Sequence, residues 1–271
     1  MYVLGIDVET TVQKAEKGLD GSPFNANNYL VSCGVQFLGE DEGEYLFFNH
    51  TKHWWEAKAN HVKLQAILDS ADLLVAHNAK FDLLWLIESG FNITCNVYCT
   101  MIGEYVLARG QKVSLSLAET AKRREVTLKR SDLMEDTFKK GIGYEAMDPA
   151  IVEEYGRGDV VSCLEVYKSQ MHDYRLPEFS GLRKVRDMMN DMLFVLLEME
   201  RNGIHIDVDA LDEVENQFTK ERNILQERLY ALSREVMGDT PINLNSSSQL
   251  SEVVYSRKVL DKVKWREVFN L

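Results

Sequence analysis

Apolar residues fall into short runs over the first two thirds of the chain and into long helical stripes over the last third. Residues 2–8, 29–38 and 44–49 read as extended, and Gly39-Glu40-Asp41-Glu42-Gly43 joins the last two as a hairpin turn. Residues 58–70 place Val62, Leu64, Ile67 and Leu68 at helical spacing, and 72–76 reads as a short buried strand. A strand ending in His77-Asn78 then feeds a helix over 80–89. Helical patterns follow from Thr100 through Leu107, over 117–122 and over 151–170. Strands first, then strand–helix crossovers, then helices predict an α/β layer, a mixed β-sheet flanked by helices.

From about Ser180 strand signals disappear. Val185, Met188, Met192, Val195, Leu196 and Met199 recur at three- and four-residue steps, and Leu211, Val214, Phe218, Leu225, Leu229 and Leu232 continue the pattern beyond a break at Asn202-Gly203. Such stripes are expected to be packing surfaces. The predicted organisation is therefore an α/β domain over 1–179 and an all-helical segment over 180–271. Two loops, 11–28 and 131–148, are longer than a turn requires and read either as tolerated insertions or as substrate clamps. No apolar stretch approaches the roughly 18 residues that cross a bilayer, and the opening run meets Asp7 without a basic flank or cleavage site. A core strand in a cytoplasmic chain without a membrane span is expected.

Charge narrows the function classes. The 271 residues carry 31 Lys and Arg against 43 Asp and Glu, a net of −12, of which −9 lies in residues 1–179. That balance excludes a protein that coats DNA through a basic surface, so nucleic-acid binding needs local patches. Candidates are Lys122-Arg123-Arg124 with Lys129-Arg130, Arg183-Lys184-Arg186, and Arg257-Lys258 with Lys262, Lys264 and Arg266; a solvated helix face is the plain alternative for the first. The four cysteines form no CxxC pair and read as reduced thiols. Trp54-Trp55 is expected to cap a core edge, and His50, His53, His61 and His77 are too scattered to read as ligands.

Chemistry enters with the carboxylates. Alternation along a strand puts Asp7 and Glu9 on one face at the end of an apolar run, where they repel unless a cation lies between them. Alone, such a pair usually faces water. Asn78 and Asp82 follow at a strand-to-helix junction, where stabilisation of the first helical turn also accounts for Asp82. Tyr155 and Asp159 share a helix face at i, i+4 spacing. Gly156 and Gly158 between them are poor helix residues, kept either by close approach to a ligand or by tight helix–sheet packing. Four carboxylates from a strand, a junction and a late helix can converge at one end of a sheet, a donor set suited to paired magnesium ions.

In this order, with 75 and 77 residues between successive aspartates, Asp7-x-Glu9, Asn78-x-x-x-Asp82 and Tyr155-x-x-x-Asp159 resemble the three motifs of the DEDD superfamily of 3′–5′ exonucleases. Glu154 stands where the His subtype carries histidine, so the resemblance is to the Tyr subtype. The segments from Glu198 to Asp207 and from Asn243 to Leu250 resemble the approach to the thumb and the N-x-x-S-P-K-Q-L motif of family A DNA polymerases, phage enzymes included. Ser247 and Ser248 replace the usual Pro-Lys. No palm or fingers signature follows Leu250, so nucleotide addition is expected to be absent, and the chain reads as an expression fragment or one piece of a split gene.

The resemblance implies a ribonuclease H-like fold followed by a thumb-like helical segment. It also implies release of nucleoside 5′-monophosphates from DNA 3′ ends as the proofreading part of a polymerase. By the same resemblance Asp7, Glu9 and Asp159 hold one Mg2+, and Asp7 with Asp82 supports a second, with Mn2+ as substitute. Tyr155 orients the attacking water, Asn78 and Thr10 position the terminal nucleotide, and Phe81 stacks on a base or fills the core. The implied partners are a single-stranded DNA 3′ end, primer-template DNA and the remaining polymerase region. Two rivals stand beside this reading: an RNase D-like exoribonuclease and a non-catalytic DNA-binding arm.

Overall fold

A computed structural model describes residues 1–13, 20–128, 134, 137, 140–238, 240, 242–255, 266, 268 and 269. They form two compact units, Met1–Asn202 and Gly203–Leu271. In the first, strands β1 (Val3–Thr10), β2 (Leu30–Phe37), β3 (Glu44–Phe47), β4 (Leu73–Ala76) and β5 (Asn96–Cys99) make one sheet in the order β3-β2-β1-β4-β5. β2 is antiparallel to β1 and β3, whereas β4 is parallel to β1 and β5. This is the mixed, ribonuclease H-like sheet that the sequence predicts, with one addition. β5 carries no sequence signal, because four residues running directly into a helix at Thr100 are too few to show a period of their own; pairing with β4 makes them a strand.

Helices α1 (Ala57–Asp69), α2 (Ala79–Glu88), α3 (Thr100–Leu107), α4 (Leu117–Arg123), α5 (Pro149–Arg175) and α6 (Leu182–Asn202) complete this unit. β1 alternates, so its even positions Leu4, Ile6 and Val8 enter a core with Leu64 and Leu68 of α1 and Leu83 and Leu86 of α2. Val3, on the opposite face, packs with Ala121 of α4 and Val160, Cys163 and Leu164 of α5.

The two compact units part at 202/203, inside the helical segment expected over 180–271. Leu193 and Leu197, one turn apart on α6, are buried in the first core, and Asn190 Oδ1 accepts the Cys99 N–H at 2.7 Å. Lys80 with Glu200, and Glu88 with Arg201 at 2.7 Å, tie α6 to α2. The stripe expected to pack is not the face that packs: Val185, Met188, Met192, Val195, Leu196 and Met199 are exposed. Trp54 and Trp55 are likewise exposed rather than capping a core edge.

Helix α5 lies close to the sheet because glycines permit it. A Cβ at Gly5 would sit 2.6 Å from Leu164 Cγ, and one at Gly156 would sit 2.4 Å from the Tyr45 ring, whose hydroxyl bonds Ser32 Oγ at 2.9 Å. Tight packing is thus the reason for Gly156, whereas a Cβ at Gly158 meets nothing within 4 Å. The pair makes an internal control. Gly158→Ala is expected to gain up to about 1 kcal/mol from helix propensity. For Gly156→Ala an overpacking cost of about 1–3 kcal/mol exceeds that gain, so its urea midpoint should fall while that of Gly158→Ala rises.

In the second unit, α7 (Val208–Met237) starts at Asp207, whose side chain accepts the Ala210 N–H at 3.0 Å, and α8 (Ser247–Val254) starts at Ser246. Buried Gln249 closes the turn before α8, accepting the Asn243 N–H at 2.7 Å and donating to the Val268 carbonyl at 2.8 Å. Among the described residues no helix is long and apolar enough to cross a membrane.

Candidate active site

The odd face of β1 that meets α5 continues past Gly5 to Asp7 and Glu9. Asp159 lies on α5 five residues before Leu164, which covers Gly5, so the helix brings its carboxylate over the strand end. Ligand oxygens of Asp7, Glu9 and Asp159 all lie within 4.8 Å of one another, with Glu9 and Asp159 buried and Asp7 partly so. Three anions at that separation, two withdrawn from water, repel strongly unless a cation compensates them. An all-carboxylate donor set is hard, which suits magnesium or manganese and not a thiolate-seeking metal. The residues present therefore fit the divalent cation that the sequence motifs imply.

Asp82 stands beside this triad, outside the close group. β1 pairs with β4 only from Val3 to Gly5, leaving the strand edge open beyond, and Asp82 Oδ1 accepts the Val8 N–H there at 3.1 Å. Its place in the first turn of α2 does more than favour the helix dipole: it fixes a buried carboxylate next to β1. Its charge reaches the same surroundings as the triad. Burial first, then Asp82, Asp7 and Glu9 push the Cys33 thiol well up, and burial with Asp7 and Asp82 does the same to Cys163. All four cysteines are free thiols, three of them buried.

The three residues expected to hold substrate are placed differently from one another. Thr10 is buried at the end of β1 and lines a cleft of about 250 Å³ with Val12, Gln13, Tyr144 and Glu145. Asn78 takes a left-handed conformation at φ 62° as the cap of α2, yet its side chain makes no capping bond to the helix. A non-glycine residue held there is a feature of sites as well as of turns. Phe81 is 38% exposed, which removes the core-filling alternative and leaves its ring at the surface beside Trp85. His77 is a structural tie, its ring nitrogens bonded to Thr100 Oγ and to the Leu115 carbonyl, both at 2.8 Å.

Tyr155 is buried on α5. Its neighbour Tyr144 escapes the sequence reading altogether: its ring centroid lies 6.3 Å from that of Tyr155, and its hydroxyl hydrogen-bonds both Glu9 and Tyr155. Burial first, then the Glu9 charge, raises its phenol far above the ordinary range. No helical or strand spacing links the two tyrosines, because Pro149, at the start of α5, lies between them. An aromatic just after Gly143 is the sole signal available.

Four cations of the expected basic patches are engaged by neighbouring groups. Arg123 and Arg124 both bind Glu104, and Arg124 also binds Asp173 at 2.9 Å. Arg183 donates to the Tyr174 carbonyl, and Arg186 lies 4.6 Å over the Tyr174 ring and pairs with Asp187. Lys129, Arg130, Arg257, Lys258, Lys262 and Lys264 lie outside the described residues, as do 14–19 of the first long loop and most of 131–139 in the second. In the described part of the first loop, Asn28 accepts from Gln13 N–H and donates to the Asp20 and Ser22 carbonyls.

A family model described as 3′-5′ exonuclease, of the DNA polymerase A family, matches residues 22–172. Asp7 and Glu9 lie just before that stretch. DNA polymerase I of Borreliella burgdorferi is 25% identical over 243 residues, covering 87% of this chain and 25% of its own length. DNA polymerase I of Chloroflexus aurantiacus is 26% identical over 187 residues, 69% of this chain and 19% of its own length. The chain thus spans a quarter or less of these relatives. Among solved structures, the polymerase domain of Pol1 from M. smegmatis, in complex with DNA primer-template and dNTP, has a TM-score of 0.60 at 18% identity, covering 98% of this chain and 41% of that one. A structure described as the apo form of the nuclease has a TM-score of 0.54 at 19% identity, over 74% of this chain and 85% of that one. Brucella melitensis NrnC bound to pGG has a TM-score of 0.50 at 19% identity, over 74% and 85%. These likenesses bear on fold. The family match covers more than half of the sequence, and by it the chain belongs to the 3′-5′ exonuclease domain family of the family A DNA polymerases.

Proposed function

We propose that the chain removes nucleoside 5′-monophosphates from DNA 3′ ends, as the proofreading part of a family A DNA polymerase. The observation that carries this reading is the triad of Asp7, Glu9 and Asp159 oxygens within 4.8 Å of one another, beside buried Asp82 and Tyr155. Asp7, Glu9 and Asp159 would hold one divalent cation, and Asp7 with Asp82 would support a second. When bound, such ions lower the pKa of water and neutralise charge on the leaving oxygen. The chain's own groups do the rest. Tyr155 orients the attacking water, whose oxygen bonds to phosphorus and releases a proton to solvent as the bond to the 3′ oxygen breaks and that oxygen takes up a proton from solvent. Asn78 and Thr10 hold the terminal nucleotide, and exposed Phe81 stacks on a base. The substrates are a single-stranded 3′ end and primer-template DNA, with the remaining polymerase region as partner.

The non-catalytic alternative is disfavoured because all four carboxylates are present. The test is digestion of a single-stranded DNA carrying its label on the 3′-terminal nucleotide, and of the matching RNA, with magnesium and with EDTA. Release of labelled mononucleotide from DNA, stopped by EDTA, is the expected result. Faster digestion of RNA would move the reading to an exoribonuclease, and an inert protein would overturn it.

A further inference from the structure

We propose that Trp54 and Trp55 form a stacking platform for the single strand behind its 3′ end, a few nucleotides from the bond that is cut. The inference rests on the exonuclease reading above and adds to it a surface outside the three motifs.

The sheet register connects this surface to the site. Glu9 on β1 pairs with Ser32 on β2, and Ser32 pairs with Phe47 on β3, so the three side chains stand in one row on one face of the sheet. Two strand spacings, roughly 10 Å, separate Glu9 from Phe47. Phe47 belongs to the same apolar group as Tyr155. From Phe47 the aromatics continue outward to the surface. The His53 ring stacks on Phe47 with centroids 4.8 Å apart, Trp55 lies 5.7 Å from His53, and Trp54 meets Trp55 edge to face at 6.2 Å.

Exposure separates a platform from a cap. An indole that closes a core is buried, as Trp85 is, whereas Trp54 and Trp55 are 67% and 61% exposed. Two large rings left in water forgo burial that a stacked base restores. The turn that carries them, Trp54–Glu56, runs straight into α1, so their backbone is set before a ligand arrives. Charge selects the ligand. Lys52 and Lys58 bracket the pair, both exposed and, among the described residues, in no ion pair. Glu56, the carboxylate between them, is taken by His53 Nδ1 at 3.1 Å. Exposed aromatics flanked by cations suit the bases and phosphates of a single strand, and every base has a face to stack. A purely apolar partner gains nothing from the lysines.

Substrate length supplies the test, because a strand of many nucleotides spans the row from Glu9 to the indoles and a dinucleotide does not. In the full chain, Trp54→Ala with Trp55→Ala is expected to raise KM for a single-stranded DNA of about 16 nucleotides by about tenfold or more, with kcat changed less than about twofold. On a dinucleotide kcat/KM should be unchanged. Trp54→Phe with Trp55→Phe keeps two rings and should recover most of the KM. In EDTA the long strand should quench the tryptophan fluorescence of the wild type, and the alanine pair should abolish most of that quenching. An unchanged KM on the long strand, or equal losses on both substrates, would overturn the platform. So would sedimentation showing a wild-type dimer that the alanine pair converts to a monomer with strand affinity intact, since the patch then holds a second copy. If the wild type is inert, the exonuclease reading falls and quenching alone decides: quenching lost with the indoles upholds the platform, and no quenching overturns it.

Discussion

Asp7→Ala is expected to lower the rate of 3′-end digestion by about 10³-fold or more, equivalent to roughly 4 kcal/mol of barrier, while leaving the protein folded. Asp7 belongs to the close triad and is the least buried of its members. Its loss removes the carboxylate assigned to both cations, so both the activation of water and the neutralisation of the leaving oxygen suffer. The same change relieves repulsion with Glu9 and Asp159 when no cation is present. In EDTA the variant should therefore melt at or above the wild-type temperature, and magnesium should raise its melting point less than it raises that of the wild type. Single-turnover digestion and thermal melting with and without magnesium read both effects. Retained digestion would remove the triad from the reaction, and a melting point well below wild type in EDTA would show that Asp7 serves the fold.

The second large effect lies away from the site. Arg124→Ala should destabilise the protein by about 3–5 kcal/mol, because it strips a partner from a poorly exposed carboxylate. Glu104 on α3 receives Arg124 Nε at 2.6 Å, Arg123 Nη2 at 3.2 Å and Gln170 Nε2 at 3.1 Å, while Arg124 reaches on to Ser169 and Asp173 of α5. The network joins α3, the end of α4 and α5, so its loss loosens the helix that carries Tyr155 and Asp159. Arg123→Ala should cost far less, since that side chain is 31% exposed and Arg124 remains.

The pH dependence has a definite sign. Burial works against the Glu104 charge, but Arg124 and the hydrogen bonds from Arg124, Gln170 and Arg123 outweigh it and hold the carboxyl below its ordinary 4.5. Its contribution is therefore present above the unfolded value and is lost as pH falls through the lower folded one. Without Arg124, burial dominates and raises the carboxyl, so the acid limb of stability should move to higher pH. Urea unfolding from pH 3 to 7 measures both; a limb that does not move would mean that Glu104 is well solvated. The network also explains why residues 122–124 make a poor phosphate track, with two of the three cations engaged by neighbouring carboxylates.

Much of the fold was legible because β1, β2, α1, α2 and α5 each carry a period that a local reading detects. β5 has four residues and becomes a strand through its neighbour. The apolar stripe on α6 misled for a related reason: periodicity reports that a helix has an apolar face, not which face the sheet will cover. Leu193 and Leu197 are buried while Met188, Met192 and Met199 are not. Arg124 and Arg186 read as surface cations because their partners, Glu104, Asp173 and the Tyr174 ring, are distant in sequence.

For the candidate site the division follows the range of the forces. By itself the sequence determined which residues are candidates for the chemistry, since carboxylates at i, i+2 on a strand, at a strand-to-helix junction and at i, i+4 from a tyrosine are set by local geometry. Only the tertiary structure decided that Asp7, Glu9 and Asp159 come within 4.8 Å while Asp82 turns to the Val8 N–H, and that Tyr144 reaches Glu9 and Tyr155. Those outcomes depend on how closely α5 approaches the sheet, which Gly5 and Gly156 permit against Leu164 and Tyr45. Close packing of side chains far apart in the chain sets such distances, and no periodicity along the chain encodes them.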